Sequence, residues 1–272
     1  APDNTPGNKT LFSKSVARTL LAKIYAEKPL RDYTKVIQYC DEVKADGFDL
    51  VDDFSDLFGM NAAGTDAKMR NTKESILEAQ FTSGAGNWCT WMFGRDLVNW
   101  NNNFTWAKWV TPSRDLISAF KQEGDEVRFK ESIVYYDCNW SNYYPSDNYP
   151  FMYKCRSANS SIIKYRYADV LLLKAEALIM QDTPDLEGAA DIIDEVRDRA
   201  KLGALPTSVR SNKNVLLNAL LKERRLELAF EGQRWFDLVR LDKVEEVMNA
   251  VYAKDSGRKA QIYTFDKNSY RL

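Results

Sequence analysis

The chain of 272 residues contains no histidine. Without imidazole it has no Ser-His-Asp triad, no Cys-His pair, no histidine-ligated zinc site and no histidine switch near neutral pH. The charges nearly cancel, with 38 basic against 39 acidic residues, so the positive excess typical of nucleic-acid-binding proteins is missing. No apolar run is long enough to cross a bilayer. What remains is the composition of a globular protein with a sizeable core, at 44% hydrophobic and 28% charged residues.

Cysteine is also scarce, with only Cys40, Cys89, Cys138 and Cys155. The absence of a CxxC motif excludes a zinc knuckle and a thioredoxin-type redox site. If a disulfide forms, we expect it between Cys138 and Cys155, because that bond would close a short aromatic loop. We favour buried free thiols for these cysteines, because an even count permits disulfides but does not require them. No glycine-rich phosphate-binding loop is present either, and we expect neither a cofactor nor a metal.

Helical periodicity occupies both ends of the chain. Residues 9–46 predict one helical hairpin, and residues 162–251 predict further hairpins. Within the second region, the pattern predicts helices over residues 167–180, 186–200, 215–230 and 234–251. Alanine and aromatic residues at the packing positions favour a mostly α fold of tetratricopeptide-like hairpins with few short strands, in a single domain over residues 1–272.

Between the helical regions, residues 48–161 predict a loop-rich insertion. It contains a predicted strand over 75–81 and a predicted helix over 112–121. The stretch from Phe81 to Tyr153 holds more than half of all aromatic residues and six of the seven tryptophans. We therefore interpret the insertion as the ligand-binding part of the molecule.

Tryptophan and asparagine are both frequent in this insertion, and together they can bind a sugar. The C–H bonds of a sugar ring pack on an aromatic face, while asparagine amides bond to its hydroxyls. Both side chains are neutral, which favours neutral glycans over phosphates. The candidate ligand-binding residues are Trp88, Trp91, Trp100, Asn101, Asn102, Trp106, Trp140, Tyr143 and Tyr144. The alternative is that these aromatic residues form a local core.

A charged run near the end of the chain could indicate catalysis or metal binding. Glu223 and Glu227 are spaced to share one face of a helix, but a di-metal bundle would also need histidine. Arginines alternate with the acids, which instead favours a structural ion network between packed helices. Its expected members are Glu223, Arg224, Glu227, Arg234, Asp237 and Arg240. No compact motif nominates the carboxylate pair of a glycosidase, so no catalytic residue is assigned.

Three stretches are similar to motifs of one known family. Residues 166–177, RYADVLLLKAEA, resemble its RYAEVLLMYAEA helix, and residues 223–240, ERRLELAFEGQRWFDLVR, look like its most specific stretch. Residues 111–128, with their Pro-Ser start, are similar to its PS-x-x-L-x-x-x-F-x-x-x-D-x-R segment. The chain thus resembles the SusD/RagB family of nutrient-binding outer-membrane lipoproteins, and the matching stretches follow the family order.

The resemblance implies a SusD-like helical array and a non-catalytic function at the cell surface. In that family, a lipoprotein on the outer membrane captures a polysaccharide or oligosaccharide and delivers it to a SusC-type TonB-dependent transporter. The shared motifs are scaffold, and ligand contacts come from variable loops, so the motifs assign no binding residue. The family's lipid anchor and N-terminal part are absent from this sequence, so we expect it to be a partial chain. In the whole protein, we expect membrane contact only through that N-terminal anchor.

Other functions stay open at this point. Within the same kind of complex, the ligand could be a peptide or another nutrient instead of a glycan. A helical-repeat adaptor for protein partners would need no insertion rich in tryptophan and asparagine. A glycoside hydrolase would need two carboxylates facing each other across an aromatic-lined cleft.

Overall fold

The computed structural model describes residues 1–82, 86–87, 111–138 and 143–254. Across these ranges the protein is mostly α-helical, with eleven helices and four short strands. This confirms the expected fold class. None of the helices in the described ranges has the length and apolar character needed to cross a membrane.

The elements are numbered here in chain order. The helices are α1 (Lys14–Ala26), α2 (Tyr33–Ala45), α3 (Ser55–Phe58), α4 (Arg114–Glu123), α5 (Glu126–Ser132), α6 (Tyr167–Met180), α7 (Leu186–Arg199), α8 (Thr207–Arg210), α9 (Lys213–Glu227), α10 (Arg234–Arg240) and α11 (Val244–Lys254). The strands are β1 (Ser75–Ala79), β2 (Ile133–Tyr136), β3 (Tyr149–Met152) and β4 (Ile162–Arg166).

Helix α6 lies at the centre of the helical array. Helix α2 packs on α1 and on α6, and α7 and α9 pack against α6 from other sides. Because neighbours surround it, α6 is apolar around most of its circumference, and Ala168, Leu172, Ala175 and Ile179 are fully buried. The alanines let neighbouring helices approach closely, so the helical pairs share one core.

The end of the array differs from the sequence prediction. One helix over residues 234–251 was expected, but the structure has the two helices α10 and α11, so that prediction is wrong. The break lies at Asp242, whose backbone is left-handed at φ 57°. The Lys243 N–H donates to the Leu238 carbonyl over 2.8 Å, which closes the last turn of α10 as in a left-handed helix cap.

The region between the helical parts is more regular than its sequence suggests. Strand β1 and helix α4 lie close to the predicted strand and helix, whereas α5, β2, β3 and β4 were not foreseen. Strand β1 pairs antiparallel with β4, and β2 pairs antiparallel with β3. Helix α6 begins directly after β4, so β1 and β4 are joined to the helical array without an intervening loop.

The described cysteines are buried thiols, as the sequence favoured. Cys138 and Cys155, the pair considered for a disulfide, are not joined to each other, and both are buried, as is Cys40. Cys138 packs with Tyr149 near the end of the β2–β3 hairpin, whereas the Cys155 sulfur accepts a hydrogen bond from Asn87 at 3.2 Å. The two thiols therefore serve different contacts. Burial raises the pKa of the Cys40 thiol well above its usual value. Cys89 lies outside the described residues.

Candidate functional site

Two of the nine predicted ligand-binding residues, Tyr143 and Tyr144, lie in the described part of the chain. The remaining seven lie outside it: Trp88, Trp91, Trp100, Asn101, Asn102, Trp106 and Trp140. The geometry of the site is therefore built from the two tyrosines and their neighbours.

The β2–β3 hairpin holds these tyrosines in place. Its strands are paired through Tyr136 opposite Tyr149. Past the strand ends, the Cys138 N–H donates to the Ser146 carbonyl at 2.6 Å, and the Asn148 N–H donates to the Pro145 carbonyl at 3.2 Å. These bonds fix both ends of the connection, so Tyr143 and Tyr144 are positioned by backbone structure beside the start of α4.

Three aromatic rings lie in contact here, and we call them the tyrosine cluster: Tyr143, Tyr144 and Tyr149. Neighbouring rings meet edge to face, with centroids 4.9 Å apart at 88° for Tyr143–Tyr144 and 5.6 Å apart at 81° for Tyr144–Tyr149. Tyr149 is buried, whereas Tyr143 and Tyr144 are half-buried. The Tyr144 hydroxyl donates to the Pro112 carbonyl at 2.8 Å. The cluster thus runs from the core to the surface.

Arg114, the first residue of α4, completes this surface. Its guanidinium carbon lies 4.0 Å from the Tyr143 ring centroid and 5.1 Å from that of Tyr144, in cation–π geometry. It also donates a hydrogen bond to the Tyr143 carbonyl. The sequence did not indicate Arg114, because its contact with Tyr143 spans 29 positions and depends on the fold.

A cleft of about 590 Å³ opens on the other side of Arg114, between α4, α9 and α11. Its lining within the described chain is Ser113, Arg114, Asp115, Ser118, Ala119, Gln122, Lys222, Arg225, Val251 and Lys254. Arg225 contacts Asp115 at 2.7 Å across the cleft. A smaller cavity of about 210 Å³ adjoins it and shares Ser113, Arg225 and Val251. Arg114 thus belongs to both the cleft and the tyrosine surface.

Two ion networks lie beside α9. The first contains Glu223 and Glu227, the two acids whose spacing resembled a catalytic pair, and both are buried. Arg128 contacts Glu223 at 2.5 Å and Glu227 at 3.0 Å. Glu227 also binds Arg166 at 2.5 Å, and it binds Arg199. Burial disfavours the charged carboxylate, but these arginines outweigh it and hold the pKa of Glu227 well below its usual value. The carboxylate is a fixed structural anion.

Arg224 points to the other side of α9 and belongs to a second ion network. It contacts Asp169 at 2.7 Å and Asp237 at 2.9 Å. Arg240 contacts the same Asp237 at 2.8 Å and Glu176 at 2.7 Å. Residues expected to form one network therefore occupy two, one on each side of the helix.

Arg234 differs from the other expected network members. It donates to the Leu221 carbonyl at 2.8 Å. Burial and the nearby Arg225 lower the pKa of Arg234 to about 10. The arginines at the centre of the first network, Arg128, Arg166 and Arg199, were not nominated from sequence, although the first two lie in the quoted motif stretches. Within the described ranges, no group of three or more potential ligands could hold a metal ion.

The SusD family model matches residues 148–271. The SusD-like protein P38 of Formosa agariphila is 43% identical over 99 residues, which covers 34% of this chain and 19% of the relative. The aligned segment therefore represents a small part of that relative.

Solved structures extend the likeness to nearly the whole chain. Surface glycan-binding protein A from Bacteroides thetaiotaomicron, in complex with laminarihexaose, superposes with a TM-score of 0.72 at 17% identity, covering 97% of this chain and 61% of that one. A laminarin binding SusD-like protein gives 0.66 at 23% identity, covering 94% and 60%. At these identities the likeness concerns the fold, and this chain spans less than two thirds of either structure.

Proposed function

We propose that this chain is a SusD-like protein that captures glycans at the cell surface for uptake, because the SusD family model matches residues 148–271. The observation that carries the proposal is the tyrosine cluster with Arg114 against it, on a hairpin loop fixed at both ends. Two half-buried rings on a fixed backbone offer a preorganised surface for a sugar ring, which lowers the entropy lost on binding.

Two structural relatives support the choice of ligand class. One is described as laminarin binding, and the other was solved with laminarihexaose. Both share the fold, and their ligands are glycans. Residues 48–161, which contain the tyrosine cluster, are the part of this chain that we assign to ligand capture, with the predicted tryptophans and asparagines as further contacts.

The rest of the proposed function concerns location and partner. We place the protein on the outer membrane as a surface-exposed lipoprotein that passes its ligand to a SusC-type TonB-dependent transporter. Binding without catalysis fits the position of the α9 carboxylates, because Glu223 and Glu227 are both buried and paired with arginines between packed helices. The helical array supplies a rigid support for the capture surface.

The test is calorimetric titration of the chain with a panel of neutral and acidic oligosaccharides, with reducing-sugar release followed in the same samples. We expect binding without turnover. In Tyr143→Ala and Tyr144→Ala, the free energy of binding to the best ligand should become less favourable by about 1–3 kcal/mol, by analogy with stacking of bases on aromatic residues.

Tyr39→Ala is the matched control, because Tyr39 stacks on Tyr25 in the α1–α2 hairpin, with centroids 5.9 Å apart. It should leave the affinity unchanged. Sugar release by the chain would contradict the non-catalytic assignment. Full affinity in both loop variants would contradict the role of the tyrosine cluster, and absence of binding to every glycan would favour peptide capture.

A further inference from the structure

The cleft beside Arg114 is lined by unequal numbers of charges. Among the lining residues that the described chain contributes, the cations are Arg114, Lys222, Arg225 and Lys254, and the anion is Asp115. None of them was nominated from sequence, because α4, α9 and α11 are far apart along the chain and meet only in the fold.

Two carboxylates in and near the cleft, those of Asp115 and Glu123, each contact two basic side chains. Asp115 serves Arg225 at 2.7 Å and also lies 3.7 Å from Lys254. Glu123 serves Lys222, and it also binds Arg197 at 2.7 Å. Each of these two carboxylates thus contacts two cations, and among the described residues that line the cleft the basic side chains outnumber the acidic ones. The same excess reaches the adjoining cavity, where burial and Arg225 lower the pKa of Arg234.

We propose that this cleft binds the carboxylate or sulfate group of an anionic glycan while the tyrosine cluster contacts the adjacent sugar ring. The inference rests on the glycan-capture function proposed above and narrows its ligand class. Guanidinium groups bind carboxylates and sulfates through paired hydrogen bonds. The cleft volume, about 590 Å³, lies within the range of roughly 300–1,000 Å³ usual for small-molecule sites.

The position of Arg114 joins the two parts of the site. It lines the cleft and lies 4.0 Å from the Tyr143 ring centroid. A charged sugar in the cleft would therefore have its chain neighbour beside the tyrosines. This differs from the neutral ligand that the tryptophan and asparagine content favours, because the cleft is lined by basic residues of α4, α9 and α11.

The experiment compares glycans that differ only in charge. Oligogalacturonate and its methyl ester test the carboxylate, and a sulfated oligosaccharide with its desulfated form tests the sulfate, each by calorimetry with the whole chain. In at least one pair we expect the charged member to bind about tenfold more tightly, as for hydrogen bonds to charged groups. Raising the salt from about 0.05 M to about 0.5 M should reduce that preference.

Variants locate the effect in the cleft. Arg225→Gln and Lys222→Gln should each reduce the affinity for the charged member about five- to tenfold and leave the neutral member unchanged. Asp115→Asn removes the competing carboxylate and should strengthen binding, an effect that misfolding cannot produce. Lys130→Gln is the charge-matched control, because Lys130 is exposed on α5 and does not line the cleft.

The outcomes separate this inference from the broader function. Equal affinity for charged and neutral members, or a charge preference that survives both Arg225→Gln and Lys222→Gln, overturns the anionic cleft. If neutral glycans still bind through Tyr143 in that case, glycan capture stands alone. Failure of every glycan to bind overturns both proposals.

Discussion

At the scale of single residues, each buried charge of the first ion network depends on a partner of opposite charge. Glu227 is fully buried and forms salt bridges with Arg128, Arg166 and Arg199. Each guanidinium has lost its hydration, so the shared carboxylate supplies the interactions that water would otherwise give. Removing such a carboxylate leaves uncompensated buried cations, a larger penalty than the net value of any one pair.

Glu227→Gln should therefore lower the free energy of unfolding by about 3–5 kcal/mol. The measurement is urea unfolding of the variant and the parent chain. Glu187→Gln is the control, because Glu187 pairs with Arg210 but its side chain is 72% exposed, and exposed pairs contribute at most about 1 kcal/mol. Equal effects of the two substitutions would show that burial does not govern the energetics of these pairs.

At the scale of secondary structure elements, close approach of the helices depends on small residues in α6. Ala175 is fully buried where α2, α7 and α9 surround this helix. Such an interior is packed at crystal-like density, so added volume forces neighbouring helices apart. Positions at the ends of the outer helices carry no such constraint.

Ala175→Leu should reduce the free energy of unfolding by about 1–3 kcal/mol, the usual cost of overpacking. The matched control is Ala45→Leu at the exposed end of α2, which should change it by less than about 0.5 kcal/mol. Thermal unfolding of both variants gives the comparison. An unchanged melting temperature for Ala175→Leu would argue against close packing around α6.

At the scale of the whole molecule, buried charges connect elements that are distant in sequence. Asp169 of α6 contacts Lys23 of α1 and Arg224 of α9, both at 2.7 Å. Burial opposes ionisation, but Lys23 and Arg224 prevail and hold the pKa of Asp169 well below its usual value. A carboxyl group with a depressed pKa in the folded state stabilises the protein above its unfolded pKa of about 3.9, and this contribution fades as pH falls further.

Asp169→Asn should therefore destabilise the protein strongly at pH 7, and the difference from the parent chain should shrink as pH is lowered below about 4. Denaturant unfolding of both chains across that pH range measures it. Asp182→Asn, at an exposed position, should show a small difference at every pH. A difference for Asp169→Asn that stays constant with pH would mean that it arises from packing rather than charge.

Sequence reasoning succeeded where structure depends on local pattern. Helix α6 begins and ends where its apolar periodicity predicts, because that signal lies within the helix itself. The break at Asp242 was missed, since a left-handed residue closing α10 is a choice of backbone conformation that apolar spacing does not encode. The β2–β3 hairpin was missed for a related reason, because its second strand, YPFM, shows no alternation and is buried throughout.

The candidate site was predictable only in part. Tyr143 and Tyr144 were named from aromatic composition, which marks a region rich in rings but not its geometry. The partners that define the site come from elsewhere in the sequence, as Arg114 and Arg225 do in the cleft. The first ion network has the same character, because Arg128 and Glu227 are 99 positions apart. Such contacts follow from the fold and leave no local signature.

The junction of β4 with α6 also has a consequence for the order of folding. Arg166 ends the strand that pairs with β1, and its contact with Glu74 closes a loop of 92 residues. The α1–α2 hairpin closes a much shorter one, with Arg18 and Asp46 only 28 positions apart. Because closing a longer loop costs more chain entropy, the hairpin can assemble early. We therefore expect the pairing of β1 with β4, and with it the capture region, to form after the α1–α2 hairpin.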